Sequence, residues 1–322
     1  MFDIQDIFAR ATMDAIGSIA FGQEIGCLDS VDPPAFMVEF DRCQAITHKR
    51  MMDPLWKFKS FFRVGEEKHF TSSMKVVNDG IYKLLSNRKS GNCENRKTVL
   101  DLLEEKATKD GNSFPDSVLR DIVWDFLIAG RDTTACASSW LFYCLLQHPD
   151  VLAKVYEEME GKDISKFTTV LHEFPYLTAC CLETERLYPS VPSTFKGVKA
   201  HNFTLPNGIK VESGTSLEYS PYINGRNPQI WGDDCLEWKP ERFLTENNEI
   251  RQFSQGQYPS FNGGPRLCLG KTMALLEMKR LIINLFSQFD FELVPNRPIT
   301  YKVAIILWIK DGLWVRATPR SK

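Results

Sequence analysis

The string Phe261-Asn-Gly-Gly-Pro-Arg-Leu-Cys268-Leu-Gly270 sets a cysteine just ahead of a stretch with helical apolar spacing. A thiolate in that place faces the unpaired N–H groups of a first helical turn and the positive end of its dipole, and both favour an anionic metal ligand. Gly263, Gly264 and Gly270 carry no Cβ, so the backbone can pass close to a large flat group, and Arg266 is a cation placed to meet an acidic one. A bare Cys-Leu-Gly would read as a buried cysteine in a turn; the aromatic, the glycines and the arginine at fixed spacing lift this string above that.

Two further constellations carry charge where apolar residues are expected. Glu183 and Arg186 lie three residues apart, on one face of a helix, and Pro240-Glu241-Arg242-Phe243 offers a second arginine. Ala129-Gly130-Arg131-Asp132-Thr133-Thr134 interrupts a long apolar run. A glycine inside a helix costs about 1 kcal/mol, and Asp-Thr-Thr competes for backbone hydrogen bonds. A helix that keeps such a fault has a groove to serve or a close packing contact to make.

At every fixed position the cysteine loop resembles the haem-binding loop of cytochromes P450. That resemblance implies haem b, with Cys268 as the axial iron ligand and Phe261, Gly264, Arg266 and Gly270 around it. It implies that Glu183, Arg186 and Arg242 form a buried charged triad that fixes the loop. It makes the Ala129–Thr134 stretch the oxygen-binding helix: Ala129 and Gly130 leave room for O2, Thr133 and Asp132 are the alcohol and acid that deliver protons to it, and Phe126 and Thr134 face the substrate. Thiolate ligation favours O–O cleavage, and the acid and alcohol supply the protons that cleavage needs.

Other stretches, among them Arg10-Ala-Thr-Met-Asp-Ala-Ile, Asp53-Pro-Leu-Trp-Lys57, Leu187-Tyr-Pro-Ser-Val-Pro192 and Trp231-Gly-Asp-Asp, look like the eukaryotic fatty-acid and alkane ω-hydroxylase clan. This likeness implies a small lipophilic substrate, a fatty acid oxidised near its chain end. It also implies electrons from NADPH through NADPH-cytochrome P450 reductase, and a place on the cytosolic face of the endoplasmic reticulum. One departure is Ser193, where the clan often has an arginine facing a haem propionate; Lys196 is the nearest cation to stand in.

The elements that would position these groups are mostly helices. Residues 2–160 are dominated by helical spacing, beginning with Phe2, Ile4, Ile7 and Phe8. A long buried helix is expected over 115–146, opened by Pro115-Asp116 and ended before His148-Pro149, with others over 150–160, 176–188 and 269–287. The polar Gly91 to Lys97 reads as a surface loop. Hairpins are expected at Asn207-Gly208 and at Asp311-Gly312, the latter joining Tyr301–Trp308 to Leu313–Ala317.

The chain has 322 residues, a net charge of −2 and nine cysteines without a CxxC pair. This balance argues against a nucleic-acid partner, and the scattered odd cysteines fit a reducing compartment, which leaves the sequon Asn202-Phe203-Thr204 without a glycosylating one. The expected fold is mainly α with a minor β part, the C-terminal portion of a cytochrome P450 in a single domain over 1–322. The membrane anchor, a β-rich region and a propionate-binding helix are expected to lie outside it, so membrane association would come only through such a segment. Isolated, these residues are expected to bind haem poorly. Two other readings stay open: a non-catalytic haem-binding fragment, and a P450 that rearranges oxygenated lipids without a reductase. Members of the second kind often lose the acid–alcohol pair that this chain keeps.

Overall fold

A computed structural model describes residues 1–90, 97–201, 203–302 and 304–320. The expected surface loop at Gly91 to Lys97, apart from Lys97 itself, and Asn202 of the sequon lie outside these residues. The chain divides into a helical unit, Gln5–Ala135, and a mixed unit, Met1–Ile4 with Cys136–Lys322.

Six helices build the helical unit: α1 (Ile4–Phe21), α2 (Ala35–Met52), α3 (Trp56–Phe61), α4 (Glu67–Lys89), α5 (Val99–Lys109) and α6 (Asp116–Leu127). The apolar face read from Ile4 onward is real, with Ile4, Phe8, Met13 and Ile16 buried. Phe2 is not on it: Phe2–Asp3 is a strand. α2 lies along α4, and α6 packs on α4. Phe40 of α2 stacks on Trp124 of α6 at 5.2 Å, and the Trp124 indole donates to Asn78 of α4 at 2.9 Å. The sequence starts α5 with a capping box in which Thr98 and Asp101 satisfy each other's backbone N–H. Around α3 the pattern inverts: Leu55, Phe58, Phe61 and Phe62 are exposed.

The long helix expected over 115–146 exists but is not regular. α6 runs into a π-helical turn, Ile128–Asp132, and then into α7 (Thr133–Gln147). Pro115 caps its start, and His148-Pro149 ends it.

The mixed unit holds α8 (Pro149–Met159), α9 (Phe167–His172), α10 (Pro175–Leu187), the short α11 (Pro221–Asn224) and α12 (Pro228–Trp231), and α13 (Lys271–Phe286). Every residue of α10 from Ala179 to Leu187 is buried, acids and arginine included. Ala179 and Leu182 pack with Trp231, Cys235, Phe243 and Tyr258 in a core that Phe261 and Leu275 border.

Three small sheets complete this unit. β2 (Thr194–Gly197) pairs with β5 (Ser216–Tyr219), and β3 (Phe203–Thr204) pairs with β4 (Lys210–Val211) across the expected Asn207-Gly208 turn. The C-terminal pairing differs from expectation. Asp311-Gly312 does turn the chain, but the strand after it, β7 (Trp314–Pro319), pairs with β6 (Phe289–Leu293) and with β1 (Phe2–Asp3). Tyr301–Trp308 supplies only a bridge from Tyr301 to Ile309. β6 presents Phe291, buried against Phe142 and Phe286, and that ring cluster outweighs the nearer pairing. No helix among the described residues is long and apolar enough to cross a membrane.

Candidate functional site

The cysteine loop follows Tyr258 and ends at α13. Phe261 is half-buried beside Tyr258, with ring centres 6.3 Å apart. Its carbonyl accepts from the Cys268 N–H at 2.8 Å, which closes the loop at its base. Between them Gly264, Pro265 and Arg266 form a tight turn, and Gly264 has φ +56°, the left-handed region that glycine enters without strain. The Gln255 side chain accepts from the Gly264 N–H at 2.8 Å and pins the turn. Leu267, Cys268 and Leu269 then stand in the open, with Leu269 90% exposed, and Gly270 caps α13 with no side chain bonding to the first turn.

Eight described cysteines are free, and only Cys268 is exposed. Burial pushes the thiols of Cys27 and Cys181 up to about 12 and that of Cys43 to about 11, so these stay protonated. Arg266 is exposed, and among the described residues no carboxylate pairs with it. A thiol, an uncompensated guanidinium and two leucines thus lie uncovered on one short loop.

Behind the loop, α10 brings Arg186 onto Glu183 in a two-pronged pair at 2.6 and 2.7 Å, both side chains fully buried. Arg242, on a 3₁₀ turn (Pro240–Phe243), approaches the same carboxylate at 3.4 Å. The remaining donors find carbonyls: Arg186 bonds those of Gly225, Cys235 at 2.7 Å and Glu237 at 2.8 Å, and Arg242 bonds those of Trp231 at 3.0 Å and Asp234 at 2.5 Å. The Lys239 N–H adds a donor to Glu183 at 2.7 Å. Burial raises the Glu183 carboxyl's proton affinity and the two arginines oppose it. The sequence singled out the triad but not the segment Gly225–Lys239, whose carbonyls saturate it. Backbone groups leave no trace in residue types.

The other constellation lies in the helical unit. On the π-turn Ala129 is exposed, and its carbonyl accepts from the Thr133 hydroxyl at 2.6 Å. A Cβ on Gly130 would sit 2.7 Å from Ile16 of α1, so Gly130 permits close packing of α1 there; its expected part in leaving room for O2 gives way to that contact. Thr134 is 2% exposed, buried in the helix's packed side, which corrects the expectation that it faces substrate, while Phe126 is half-buried.

Asp132 is 2% exposed and accepts from Arg131 Nη1 at 2.8 Å. The same Nη1 donates to Asp41 of α2, and Nη2 reaches the second Asp41 oxygen at 3.1 Å. Burial, first of all, lifts the Asp132 carboxyl to about 6; Arg131 and Gln44 pull it down, and Asp41 pushes it up. Asp41 was not read from the sequence: it lies on another helix, and nothing local marks it.

Residues 1–311 match the family described as Cytochrome P450. The chain is 35% identical over 365 residues to cytochrome P450 704B1 of Arabidopsis thaliana, covering 99% of this chain and 69% of that protein. It is 36% identical over 351 residues to cytochrome P450 704C1 of Pinus taeda, covering 99% and 67%. To alkane hydroxylase MAH1 of Arabidopsis thaliana it is 30% identical over 335 residues, covering 99% and 66%. The chain therefore spans about two thirds of the length of these relatives.

Proposed function

The chain belongs to the cytochrome P450 family, and from that premise we propose that its parent protein is a haem-dependent monooxygenase acting on a long apolar substrate, a fatty acid near its chain end. The observation that carries the reading is Cys268: exposed, free and set on a glycine-lined loop at the start of α13. The residues present fit the haem that the family implies. Gly264 and Gly270 have nothing within 4 Å of where a Cβ would stand, so a flat macrocycle could lie against the loop. Leu267 and Leu269 offer apolar contact, and Arg266 has a free charge for a propionate.

Cys268 would hold the iron. When bound, the group supplies reduction and cleavage of dioxygen, which thiolate ligation favours. The chain's own residues do the rest. Glu183, Arg186 and Arg242 fix the segment that leads into the loop. Asp132 holds a proton near neutral pH and gives it up toward the oxygen substrate, with the Thr133 Oγ as the alcohol beside it. The fatty-acid preference rests on the clan-like stretches and on an alkane hydroxylase among the relatives. Electrons would come from NADPH through a cytochrome P450 reductase, at the endoplasmic reticulum. We place 1–322 in one P450 domain.

The reduced, CO-bound spectrum tests the ligand. Cys268→Ala should abolish the thiolate-type Soret band, and a band that survives removes Cys268 from the iron. Incubation with reductase, NADPH and a saturated fatty acid tests the substrate: hydroxylation near the chain end is expected, and oxidation confined to mid-chain carbons or absent overturns the class.

A further inference from the structure

The Arg131 side chain is 5% exposed, Asp132 is 2% exposed and Asp41 is 48% exposed, and all three meet at one guanidinium. Asp41 takes the fork, Nη1 and Nη2; Asp132 is left with the second hydrogen of Nη1. The other groups facing this centre add no free cation. From α2 come Gln44, bonded to Asp132, and Phe40, whose ring lies 5.6 Å under the guanidinium. From α1 come the Ala9 carbonyl, which accepts from Arg131 Nε at 3.4 Å, and Thr12, whose hydroxyl bonds the Arg131 carbonyl at 3.0 Å. Arg10 is engaged with Asp6 at 2.8 Å, Asp14 with the Cys27 N–H at 2.8 Å, and Cys27 is a protonated thiol that feels Arg131.

We propose that Asp41 and Arg131 are positioning residues for proton delivery: by claiming the fork of Arg131, Asp41 leaves the buried Asp132 with half a partner and so keeps it a proton carrier rather than a fixed ion. The inference rests on the reading of Asp132 as the acid of the site. Two carboxylates share one cation in a dry place, so when both are ionised one negative charge is uncompensated, which buried groups avoid by taking up a proton. The solvated carboxylate keeps its charge, and the buried one takes the proton. In the transfer the Asp132 O–H bond breaks, the proton goes to the oxygen being reduced, and the carboxylate left behind recovers a proton from water. Without Asp41, Arg131 would be free to turn its whole fork on Asp132 and lock it as a carboxylate.

The test reads Asp132 directly in the haem-loaded protein, through the infrared carbonyl band of a protonated carboxylic acid, assigned by its loss in Asp132→Asn. Asp41→Asn should move the midpoint of that band down by about one pH unit or more, and Arg131→Met should move it up. Asp41→Glu should restore the original midpoint. In parallel, product formed and hydrogen peroxide released per NADPH are followed against pH with the reductase. Asp41→Asn should divert electrons to peroxide at neutral pH and recover coupling as the pH is lowered. A midpoint unmoved in Asp41→Asn overturns the proposal, whatever Arg131→Met does to folding. A midpoint that moves while coupling stays constant in both Asp41→Asn and Asp132→Asn has a different meaning: the charge sharing stands, and Asp132 is not the acid of the reaction.

Discussion

Each unit of the molecule buries an arginine–carboxylate cluster, and the two are built to opposite ratios. On α10 one carboxylate, Glu183, lies between two guanidiniums, and backbone carbonyls take up their remaining donors. On the π-turn one guanidinium, Arg131, lies between two carboxylates. The first cluster is saturated: every change of charge state leaves something buried and unpaired, so it holds its ionisation and fixes a geometry. The second has one acid more than its cation satisfies, and a proton can come and go at small cost. The ratio of charges within a buried cluster, more than its presence, separates a scaffold from a place where protons move.

The widest separation between the two should appear on deleting the shared group of each. Glu183→Ala strands two buried arginines, at about 3–5 kcal/mol, and should lower the melting temperature steeply with loss of bound haem. Full haem loading and an unshifted melt in that variant would show that the α10 cluster is no scaffold.

Asp132→Asn should instead spare the fold and change its pH dependence. The Asp132 carboxyl is raised to about 6 in the folded chain, above an ordinary aspartate near 4 when unfolded. The folded state then binds the extra proton between those values. The associated stability is present below about pH 4 and lost as pH rises to about 6, roughly 3 kcal/mol in all. Chemical denaturation at pH 4.5 and 7 should show wild type losing stability relative to Asp132→Asn as pH rises, with the difference flat above pH 7. A wild type that gains on the variant over that range contradicts the charge count.

The smallest effect belongs to Lys239. Its backbone N–H serves Glu183, but its side chain pairs with Asp234 in solvent at 2.7 Å. Lys239→Ala keeps the N–H and loses only the exposed pair, so the melt should not shift beyond error. A clear loss would mean that the α10 cluster extends further into solvent than its buried core.

These clusters also divide what the sequence makes legible. Arg186 sits three residues from Glu183, one helical face apart, so a local pattern finds the pair. Asp41 is 90 residues from Arg131, and no periodicity connects them. The cysteine loop was readable because glycine, arginine and cysteine are each needed at one position by one local geometry. The long helix was readable from its apolar spacing, and its fault from Gly130 and Asp132, although not the form the fault takes. β7 was assigned to the wrong partner because Tyr301–Trp308 alternates like a strand and lies next to the turn. What decides is Phe291, buried in a ring cluster that only the folded chain assembles. Thr134 was placed toward substrate by its position beside Thr133, but the helix turns it inward.

The π-turn also bears on how this helix tolerates insertions and deletions. A π-turn holds one residue more than an α-turn, and each residue advances a helix by about 100°. The face on which Thr133 and all that follows emerge is therefore set by the number of residues in Ile128–Asp132 as much as by their identity. Substitutions there can alter charge or packing without rotating anything. Removing a single residue would let the helix close into regular α-turns and swing α7 through roughly 100° about its axis, carrying the Thr133 hydroxyl to another side. Length in this one segment is a coordinate of the design, and a gap of one in an aligned relative would mark a differently aimed helix.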